Sequence, residues 1–317
     1  MNIGGFYVKN WVNFRPREDS HGYELKHNGS AVLAVADGIT RDPLKMLFLP
    51  DISKVKRMMT SPSGKKIKEI LSHYSSGLKE LPGTINFYLN YPNPSPAKRS
   101  SEIMVNHFID YLSTSNVLFN ELNQEIVMEG YKEANMGIRF YNESLGIRPD
   151  TVDYLEKDYA GCVAAGAIVD EKREYLAYGF IADCRIRVFN EKGDLVLETP
   201  NEGPNSKGSI DDDIKKKFGA NFSAPLGRRI IRESYRNKIK ERLSYGALTG
   251  EDNALSYVKT GCHILNENDR IILHTDGLEE AVVSGEFIDA LRNSDVSRMQ
   301  KFCKKRVHSE GSLVYYF

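Results

Sequence analysis

Three aspartates stand where apolar segments of the sequence end, which is where a strand would hold a side chain rigidly. They are Asp37 after residues 31–36, Asp183 after residues 175–182 and Asp276 after residues 271–275. Carboxylates that gather at one edge of a sheet repel one another in a partly buried cleft. A hard divalent cation, which prefers oxygen ligands, removes that repulsion. The positions therefore predict a divalent-cation site where the three segments meet.

Glycine follows two of these aspartates, in Asp37-Gly38 and Asp276-Gly277. Because glycine has no side chain, the backbone can approach a ligand closely and its carbonyl can also bind. An Asp-Gly pair also marks ordinary turns, and for one isolated pair a turn is the favoured interpretation. Three aspartates in the same kind of position favour a site over unrelated turns.

The elements that would position these aspartates are strands toward both ends of the chain, with helices between them. The patterns predict a strand over 31–36, two long helices between about 98 and 144, hairpins of 162–169 with 175–182 and of 185–189 with 195–197, a loop over 201–217, strands at 257–258, 270–275 and 313–317, and a helix over 287–307. This order indicates a mostly antiparallel α+β protein.

The composition argues against several classes of partner. The 317 residues contain 43 Lys+Arg and 43 Asp+Glu, so no net charge attracts nucleic acid or an anionic membrane. The longest apolar stretch, near 160–169, is too short to cross a bilayer, and the first residues show no secretory signal. The 4 cysteines are scattered without a CxxC pair, which favours reduced thiols over a zinc site. We expect a cytoplasmic protein with no nucleic-acid or membrane partner.

A basic segment covers residues 228–242. Its cations are Arg228, Arg229, Arg232, Arg236, Lys238, Lys240 and Arg242. Such a segment could dock a phosphopeptide or a nucleic acid, or it could form a solvated face. The neutral balance of the whole chain favours the solvated face.

Five short segments, in this order along the chain, resemble the metal-dependent protein phosphatases of the type-2C (PPM) family. They are Glu18-Asp19-Ser20, Val35-Ala36-Asp37-Gly38, Ala160-Gly161-Cys162, Ile181-Ala182-Asp183-Cys184-Arg185 and the run from Asn268 to Leu278. The last of these is the most specific, because it resembles the family string GDRLLLxSDGL. The resemblance implies one phosphatase-like domain over 1–317, with an enlarged, mostly helical insertion at about 41–150.

The resemblance implies a four-layer αββα sandwich, in which helices flank two antiparallel sheets and two Mn²⁺ or Mg²⁺ ions lie at one edge. By position, Asp37 would bridge both ions, and the Gly38 carbonyl and Asp276 would each bind one. Asp19 would order metal-bound water. Asp183 matches a position that helps to hold a weaker third ion in some members of the family.

Two departures from the family pattern concern the site. The family keeps a metal-binding aspartate just before its last strand, and the matching position here is Ser309, with Glu310 beside it. A hydroxyl replaces a carboxylate poorly at such a site, and Glu310 would point to the opposite face of an extended segment unless the chain bends. The arginine that holds substrate phosphate in the family is Phe14 here, so Arg15 and Arg17 are the candidates for that role.

The resemblance therefore implies a metal-dependent phosphatase that hydrolyses phosphoserine or phosphothreonine in proteins by attack of a metal-activated water. Its partner would be a phosphorylated protein. Two alternatives remain open at this point. One is a weakly active or inactive relative that acts as a binding or regulatory module, which the Ser309 departure supports. The other is a phosphatase for a small phosphorylated molecule.

Overall fold

The strands of the protein form two antiparallel sheets in a computed structural model. The structure describes residues 2–10, 17–39, 93–115, 124–154, 157–170, 172, 174–219, 225–307 and 309–317. Its strands are β1 (Ile3–Lys9), β2 (Ser20–Leu25), β3 (Ala31–Gly38), β4 (Cys162–Val169), β5 (Tyr175–Ile181), β6 (Arg185–Phe189), β7 (Leu195–Glu198), β8 (Lys259–Ile264), β9 (Arg270–His274) and β10 (Glu310–Tyr316).

Helices follow β3 and lie between the later strands. They are α1 (Pro96–Thr114), α2 (Gln124–Ser144), α3 (Ile210–Phe218), α4 (Pro225–Ser234), α5 (Glu279–Val282), α6 (Gly285–Arg292) and α7 (Val296–Arg306), with 3₁₀ turns at Asp252–Tyr257 and Asp276–Leu278. Helix α1 begins at a side-chain cap, because the Ser95 hydroxyl accepts a hydrogen bond from the Lys98 amide. No helix among these described residues has both the length and the apolar character needed to span a membrane.

The first sheet has the strand order β2-β3-β4-β5-β8, and all its pairs are antiparallel. Its central strands β3 and β4 are almost wholly buried. One face packs against α1 and α2, where the Phe108 ring lies over Gly166; a Cβ on that glycine would be 2.5 Å from the ring. The absence of a side chain at Gly166 therefore allows the close approach of α1 to the sheet.

The second sheet has the strand order β1-β10-β9-β6-β7. Ile186, Leu273 and Val314 of this sheet join the core that also contains the first sheet. A second cluster contains Phe6 of β1 together with Phe287 and Met299 of α6 and α7, so these helices cover its other face. The layers are therefore helix, sheet, sheet and helix, and the predicted αββα sandwich is confirmed.

Several predicted elements are confirmed by their observed bounds. The strand over 31–36 is β3, and the two long helices are α1 and α2. Both hairpins are present with antiparallel pairing, as β4 with β5 and as β6 with β7. The strand predicted at 270–275 is β9. Of the proposed insertion at 41–150, residues 40–92 and 116–123 lie outside the described residues.

Three predicted elements were wrong. Residues 201–217 are not all loop, because α3 begins at a Ser209 cap and ends at Gly219, which has φ 63°. Residues 257–258 are not a strand: the 3₁₀ turn ends at Tyr257, and the strand begins at Lys259. The helix predicted over 287–307 is two helices, separated where the Asp295 side chain caps the second one. The last strand begins at Glu310, three residues earlier than predicted.

Candidate functional site

Four aspartates are brought toward one edge of the sandwich by strand pairing. Ser20 pairs with Ala36 across β2 and β3, so the residues beyond that pair, Asp19 and Asp37, are neighbours. In the other sheet, Arg185 of β6 pairs with His274 of β9. Asp183 and Asp276 each lie two residues beyond that pair, on the same side of it. The register therefore places each sheet's aspartates at adjacent strand ends.

The Cys184 thiol shows that the two pairs of aspartates are close to each other. Burial raises its pKa first, and the charges of four carboxylates then raise it further: Asp37, Asp183, Asp19 and Asp276. Charge interactions of this kind require proximity, so the thiol lies near all four side chains, and Asp37 in turn interacts with Asp19, Asp183 and Asp276. The structure thus brings Asp19, which the resemblance alone indicated, to the three aspartates that follow apolar segments.

Asp19 and Asp37 form a hydrogen-bonded pair of carboxyl groups. An ionised carboxylate can only accept hydrogen bonds, so this contact requires a proton on one of the two groups. Burial is the main reason why these groups hold a proton. It raises the pKa of Asp19 to about 7, and the negative charge of Glu310 makes the next largest contribution. Burial also raises the pKa of Asp37 well above its usual range, and the charges of Asp19, Asp276 and Asp183 raise it further.

Asp183 shows the same effect more weakly. Burial and then the charge of Asp276 raise its pKa to about 6. The loop that follows β7 lies against this carboxylate, since a Cβ on Gly203 would be 2.7 Å from Asp183 Oδ2. Burial and the mutual repulsion of the carboxylates therefore both disfavour their ionised forms at this site.

Asp19 is fixed by contacts from distant parts of the chain. The Thr275 hydroxyl donates to Asp19 Oδ2 at 2.6 Å and accepts from the Ser312 amide at 3.0 Å. The Lys98 ammonium donates to the Asp19 carbonyl at 2.7 Å. Sequence reasoning missed both side chains. Thr275 directly precedes Asp276 in the most specific motif, which is a signal for it, whereas nothing near Lys98 indicates its role.

Glu310 also faces this part of the molecule. Its carboxylate accepts hydrogen bonds from the Tyr7 hydroxyl at 2.7 Å and from the Glu18 amide at 3.0 Å. It lies close enough to Asp19 for its charge to raise that pKa. Ser309 is exposed and precedes β10, and its carbonyl accepts from the Asn10 amide at 2.8 Å.

Of the two candidate phosphate-binding arginines, the structure describes Arg17. The Arg17 guanidinium lies 4.3 Å from the centre of the Tyr7 ring, and its Nε donates to the Asp19 carbonyl at 3.0 Å. This cation therefore lies beside the carboxylate group. Arg15 lies outside the described residues.

Both glycines of the predicted site have close backbone neighbours. A Cβ on Gly38 would be 2.5 Å from the Ala97 carbonyl oxygen at the start of α1. A Cβ on Gly277 would be 1.8 Å from the Glu310 carbonyl oxygen. Only glycine permits such an approach without movement of the chain, so both positions fix where the adjacent aspartates lie.

A buried ion network anchors the strand ends of the second sheet. Arg187 is 1% exposed, and its guanidinium contacts Glu198 and Glu279, each at 2.6 Å. It also donates to His274 Nε2 at 2.9 Å, so the proton of the neutral ring lies on Nδ1, which faces the Thr275 carbonyl. Burial and then Arg187 lower the pKa of His274 to about 3. The network holds β6 and β9 together at the strand ends next to Asp183 and Asp276.

The donor set suits a hard divalent cation in its chemistry, because it consists of oxygen ligands with surplus negative charge. Burial first, and then the charges of Asp19, Asp276 and Asp183, raise the pKa of Asp37, so the site disfavours uncompensated carboxylates. Among the described ranges, no three His, Cys, Asp or Glu side chains are arranged as a metal-binding group. The residues fit the ion in type and charge.

Comparison with known proteins gives no match by sequence and a consistent match by structure. No protein-family model matches the chain, and no curated protein matches it. A bacterial serine phosphatase structure matches with a TM-score of 0.57 and 11% identity, over 99% of this chain and 97% of the other. The serine/threonine phosphatase PstP/Ppp of Mycobacterium tuberculosis matches at 0.55 and 12%, over 99% and 97%.

A third structure, the serine/threonine phosphatase Stp1 from Staphylococcus aureus, matches with a TM-score of 0.56 and 13% identity, over 99% of this chain and 94% of that one. The near-complete coverage in both directions means that the whole architecture is shared. At these identities the likeness concerns the fold alone. The fold expected from the family resemblance is therefore confirmed: this chain has the fold of bacterial serine/threonine phosphatases.

Proposed function

We propose that the protein is a metal-dependent phosphatase that hydrolyses phosphoserine or phosphothreonine in proteins. The observation that carries the proposal is the convergence of Asp19, Asp37, Asp183 and Asp276, whose charges all reach one buried thiol. The fold is that of three serine/threonine phosphatases, which supports the proposal independently. We expect Asp37, Asp276 and the Gly38 carbonyl to hold two Mn²⁺ or Mg²⁺ ions, and Asp183 a weaker third.

Divalent cations at such a site supply an activated water nucleophile and stabilise charge on the phosphoryl oxygens. The side chains of the protein place the substrate phosphate and orient the attacking water. Asp19, held by Thr275 at 2.6 Å, would accept a hydrogen bond from the attacking water and fix its direction. Arg17 lies on the Tyr7 ring beside this group and would bind the phosphate of the substrate. The buried network around Arg187 keeps the strand ends, and so the carboxylates, in register.

The test is hydrolysis of p-nitrophenyl phosphate with Mn²⁺, with Mg²⁺ and with chelator. We expect activity only with metal, and losses of about a thousandfold or more, ~4 kcal/mol in barrier, for Asp37→Asn and for Asp276→Asn. Asp289→Asn serves as the matched control, because its exposed carboxylate pairs with Arg298 away from the site. Activity of either site variant near the wild-type level would contradict the assignment.

One observation favours a second candidate, a catalytically weak or inactive relative that binds a phosphorylated partner. Ser309, which is exposed, stands where the family keeps a metal-binding aspartate. Calorimetric titration with Mn²⁺ separates the two candidates. An active enzyme requires a site that Mn²⁺ fills at micromolar to millimolar concentration, and loss of that binding in Asp37→Asn. Comparison of phosphopeptides with small phosphate esters then tests the third alternative, a small-molecule substrate.

A further inference from the structure

A basic pocket of about 290 Å³ lies beside Asp183 and is not used by the site described above. Its wall and floor include Ala182, Lys207, Arg242, Ser244, Tyr257 and Lys259. The three cations come from three separate segments of the chain. The pocket is therefore a product of folding and could not be predicted from any one charged run.

The floor of the basic pocket is held in place by specific contacts. The Tyr257 hydroxyl donates to Ser244 Oγ at 2.7 Å, and the Lys207 ammonium donates to the Ser244 carbonyl at 3.2 Å. Gly246 makes room for this arrangement, since a Cβ there would be 2.2 Å from Tyr257 Cβ. The shape of the pocket is thus determined by packed residues and does not depend on exposed side chains alone.

The charges around the basic pocket are unequally compensated. Its two acidic residues each lie near a lysine: Glu202 is 3.7 Å from Lys207, and Glu241 is 3.6 Å from Lys217. Across the part of the chain that the structure describes, no carboxylate forms an ion pair with Arg242 or Lys259. Lys217 also binds Asp213 at 2.9 Å, and the charge of Arg242 acts on the same Asp213 without an ion pair between them. Arg242 and Lys259 are both exposed and can contact a negatively charged ligand.

The basic segment 228–242 divides between interior and surface. Arg236 and Arg232 turn inward and bind the buried Asp158, with Arg236 Nη2 at 2.6 Å and Arg232 Nε at 3.2 Å from its oxygens. They stabilise the fold and are not free to dock a ligand. Arg242 at the end of the segment is the cation that reaches the basic pocket.

The basic pocket is joined to the carboxylate site through the backbone. Ala182 lines the pocket and is followed directly by Asp183. The Glu202 amide donates to the Ala182 carbonyl at 2.9 Å, which ties the pocket wall to the same turn. Successive residues of an extended peptide are about 3.3 Å apart. Consider a peptide whose phosphorylated residue lies at the carboxylate site. A residue that is only a few positions away from the phosphorylated one would then place its side chain at the basic pocket.

We infer that the basic pocket binds the carboxylate side chain of an aspartate or glutamate that flanks the phosphorylated residue in the protein substrate. This inference rests on the proposed function. A guanidinium such as that of Arg242 presents two parallel N–H donors to a carboxylate, and Lys259 and Lys207 add positive charge around it. Because the whole chain is neutral, this attraction is local and selects among substrates.

The experiment compares phosphoserine peptides that carry Glu or Gln at each position within four residues of the phosphoserine. We expect kcat/KM of the wild type to favour Glu over Gln by about fivefold to tenfold at one or two positions, as for a few surface charge pairs acting together. In the double variant Arg242→Gln, Lys259→Gln the preference should fall below about twofold. Lys240→Gln, an exposed cation of the same segment that does not line the pocket, should retain it.

Turnover of p-nitrophenyl phosphate separates failure of this inference from failure of the proposed function, since this ester has no flanking residue. We expect the double variant to hydrolyse it within about twofold of the wild type. If the wild type hydrolyses it but shows no Glu preference, or if the double variant keeps the preference, the inference is wrong. If no ester is hydrolysed, the proposed function fails, and fluorescence anisotropy of labelled peptides tests the pocket instead. Tighter binding of the Glu peptide that is lost in the double variant would support it, and equal binding would refute it.

Discussion

The role of Glu310 at the proposed metal site depends on the groups that contact its carboxylate. Aligned with the family pattern, Ser309 occupies the metal-ligand position, and we propose Glu310 as its functional replacement. Its carboxylate is held by Tyr7 and by the Glu18 amide, and its charge reaches Asp19. We expect Glu310→Gln to weaken Mn²⁺ binding by about tenfold, ~1.4 kcal/mol, because it removes a negative charge from the site. Calorimetric titration measures this change.

Ser309→Asp is the matched comparison. Ser309 is exposed and precedes the strand, so a carboxylate there should change Mn²⁺ affinity by less than about threefold, the size of a screened surface interaction. If Ser309→Asp tightens Mn²⁺ binding strongly while Glu310→Gln has no effect, then the family position is retained at Ser309, and Glu310 only supports the fold.

Gly277 is a second residue for which a small change should have a large effect. A Cβ there would be 1.8 Å from the Glu310 carbonyl oxygen, so Gly277→Ala must push the residues after β9 away from β10. We expect a loss of stability of about 1–3 kcal/mol, as for other overpacked sites. Phosphatase activity should fall further than stability explains, because Asp276 moves as well.

Gly285→Ala provides the control for that measurement. A Cβ on Gly285 would have no atom within 4 Å, so this variant should keep full activity and unfold at the wild-type denaturant concentration or slightly above it, because alanine favours a helix more than glycine does. Urea unfolding followed by circular dichroism, together with the ester assay, checks both variants. Equal behaviour of the two would mean that the close approach at Gly277 does not position Asp276.

At the scale of elements, helix α4 is attached to the rest of the fold by a buried carboxylate. Asp158 is 2% exposed and contacts Arg236, which is 1% exposed, and Arg232, which is 8% exposed. Asp158→Asn would remove the negative charge that both buried guanidinium groups contact. We expect it to lower the free energy of unfolding by about 3–5 kcal/mol, as in other buried pairs that lose one partner. Chemical unfolding curves give this value directly.

An exposed ion pair sets the scale for comparison. Arg298 and Asp289 have side chains that are 50% and 48% exposed, so Asp289→Asn should cost less than about 1 kcal/mol. If Asp158→Asn costs no more than Asp289→Asn, the buried cluster does not hold α4 in place.

The elements also show what the sequence could and could not predict. Helix α3 was assigned to a loop because it has few apolar residues, although Ser209, three aspartates in its first turn, three lysines in its last turn and Gly219 are all typical helix-end signals. The break between α6 and α7 depends on Ser294, which has φ 53°, and on the Asp295 cap, and the apolar pattern alone does not mark it. The continuous apolar strand β3 and the periodic helix α2 were predicted correctly.

At the scale of the whole molecule, the contacts that complete the site join residues far apart in sequence. Thr275 and Asp19 are separated by 256 positions, and Tyr7 and Glu310 by 303. No local pattern encodes such a meeting, which explains why the aspartates could be predicted from the ends of apolar segments while the roles of Tyr7 and Lys98 could not; for Thr275 the only signal is its place beside Asp276 in the most specific motif. Asp19 was predicted as a site residue only from the family resemblance, because its motif stands in the family's order relative to the other motifs.

The excess of carboxylates predicts how pH and metal together affect the stability of the whole protein. Asp183 and Asp19 have folded-state pKa values of about 6 and about 7, and the pKa of Asp37 is higher than usual too. In the unfolded chain an aspartate titrates near 3.9. Between about pH 4 and 7 the folded state therefore binds more protons, and these groups make the free energy of unfolding fall as pH rises.

The buried His274 and the half-buried His21 act in the opposite direction. Burial lowers the pKa of His21 to about 4 and of His274 to about 3, so protonation in the unfolded state makes stability rise with pH up to about 6.5. The pH dependence of the melting temperature in chelator alone thus mixes both effects. The difference between Mn²⁺ and chelator isolates the carboxylates, because the histidines are common to both conditions.

We therefore expect the increase in melting temperature on adding Mn²⁺ to grow between pH 5 and pH 8. At low pH protons already compensate the carboxylates and compete with the ion, whereas at high pH only the cation relieves their repulsion. In Asp37→Asn the increase should be small at every pH, because that variant lacks one of the charges and a proposed ligand. Calorimetric scans of both proteins at constant ionic strength provide the measurement. An increase that is the same at pH 5 and pH 8 would mean that Mn²⁺ binds elsewhere and that the four aspartates do not form the metal site.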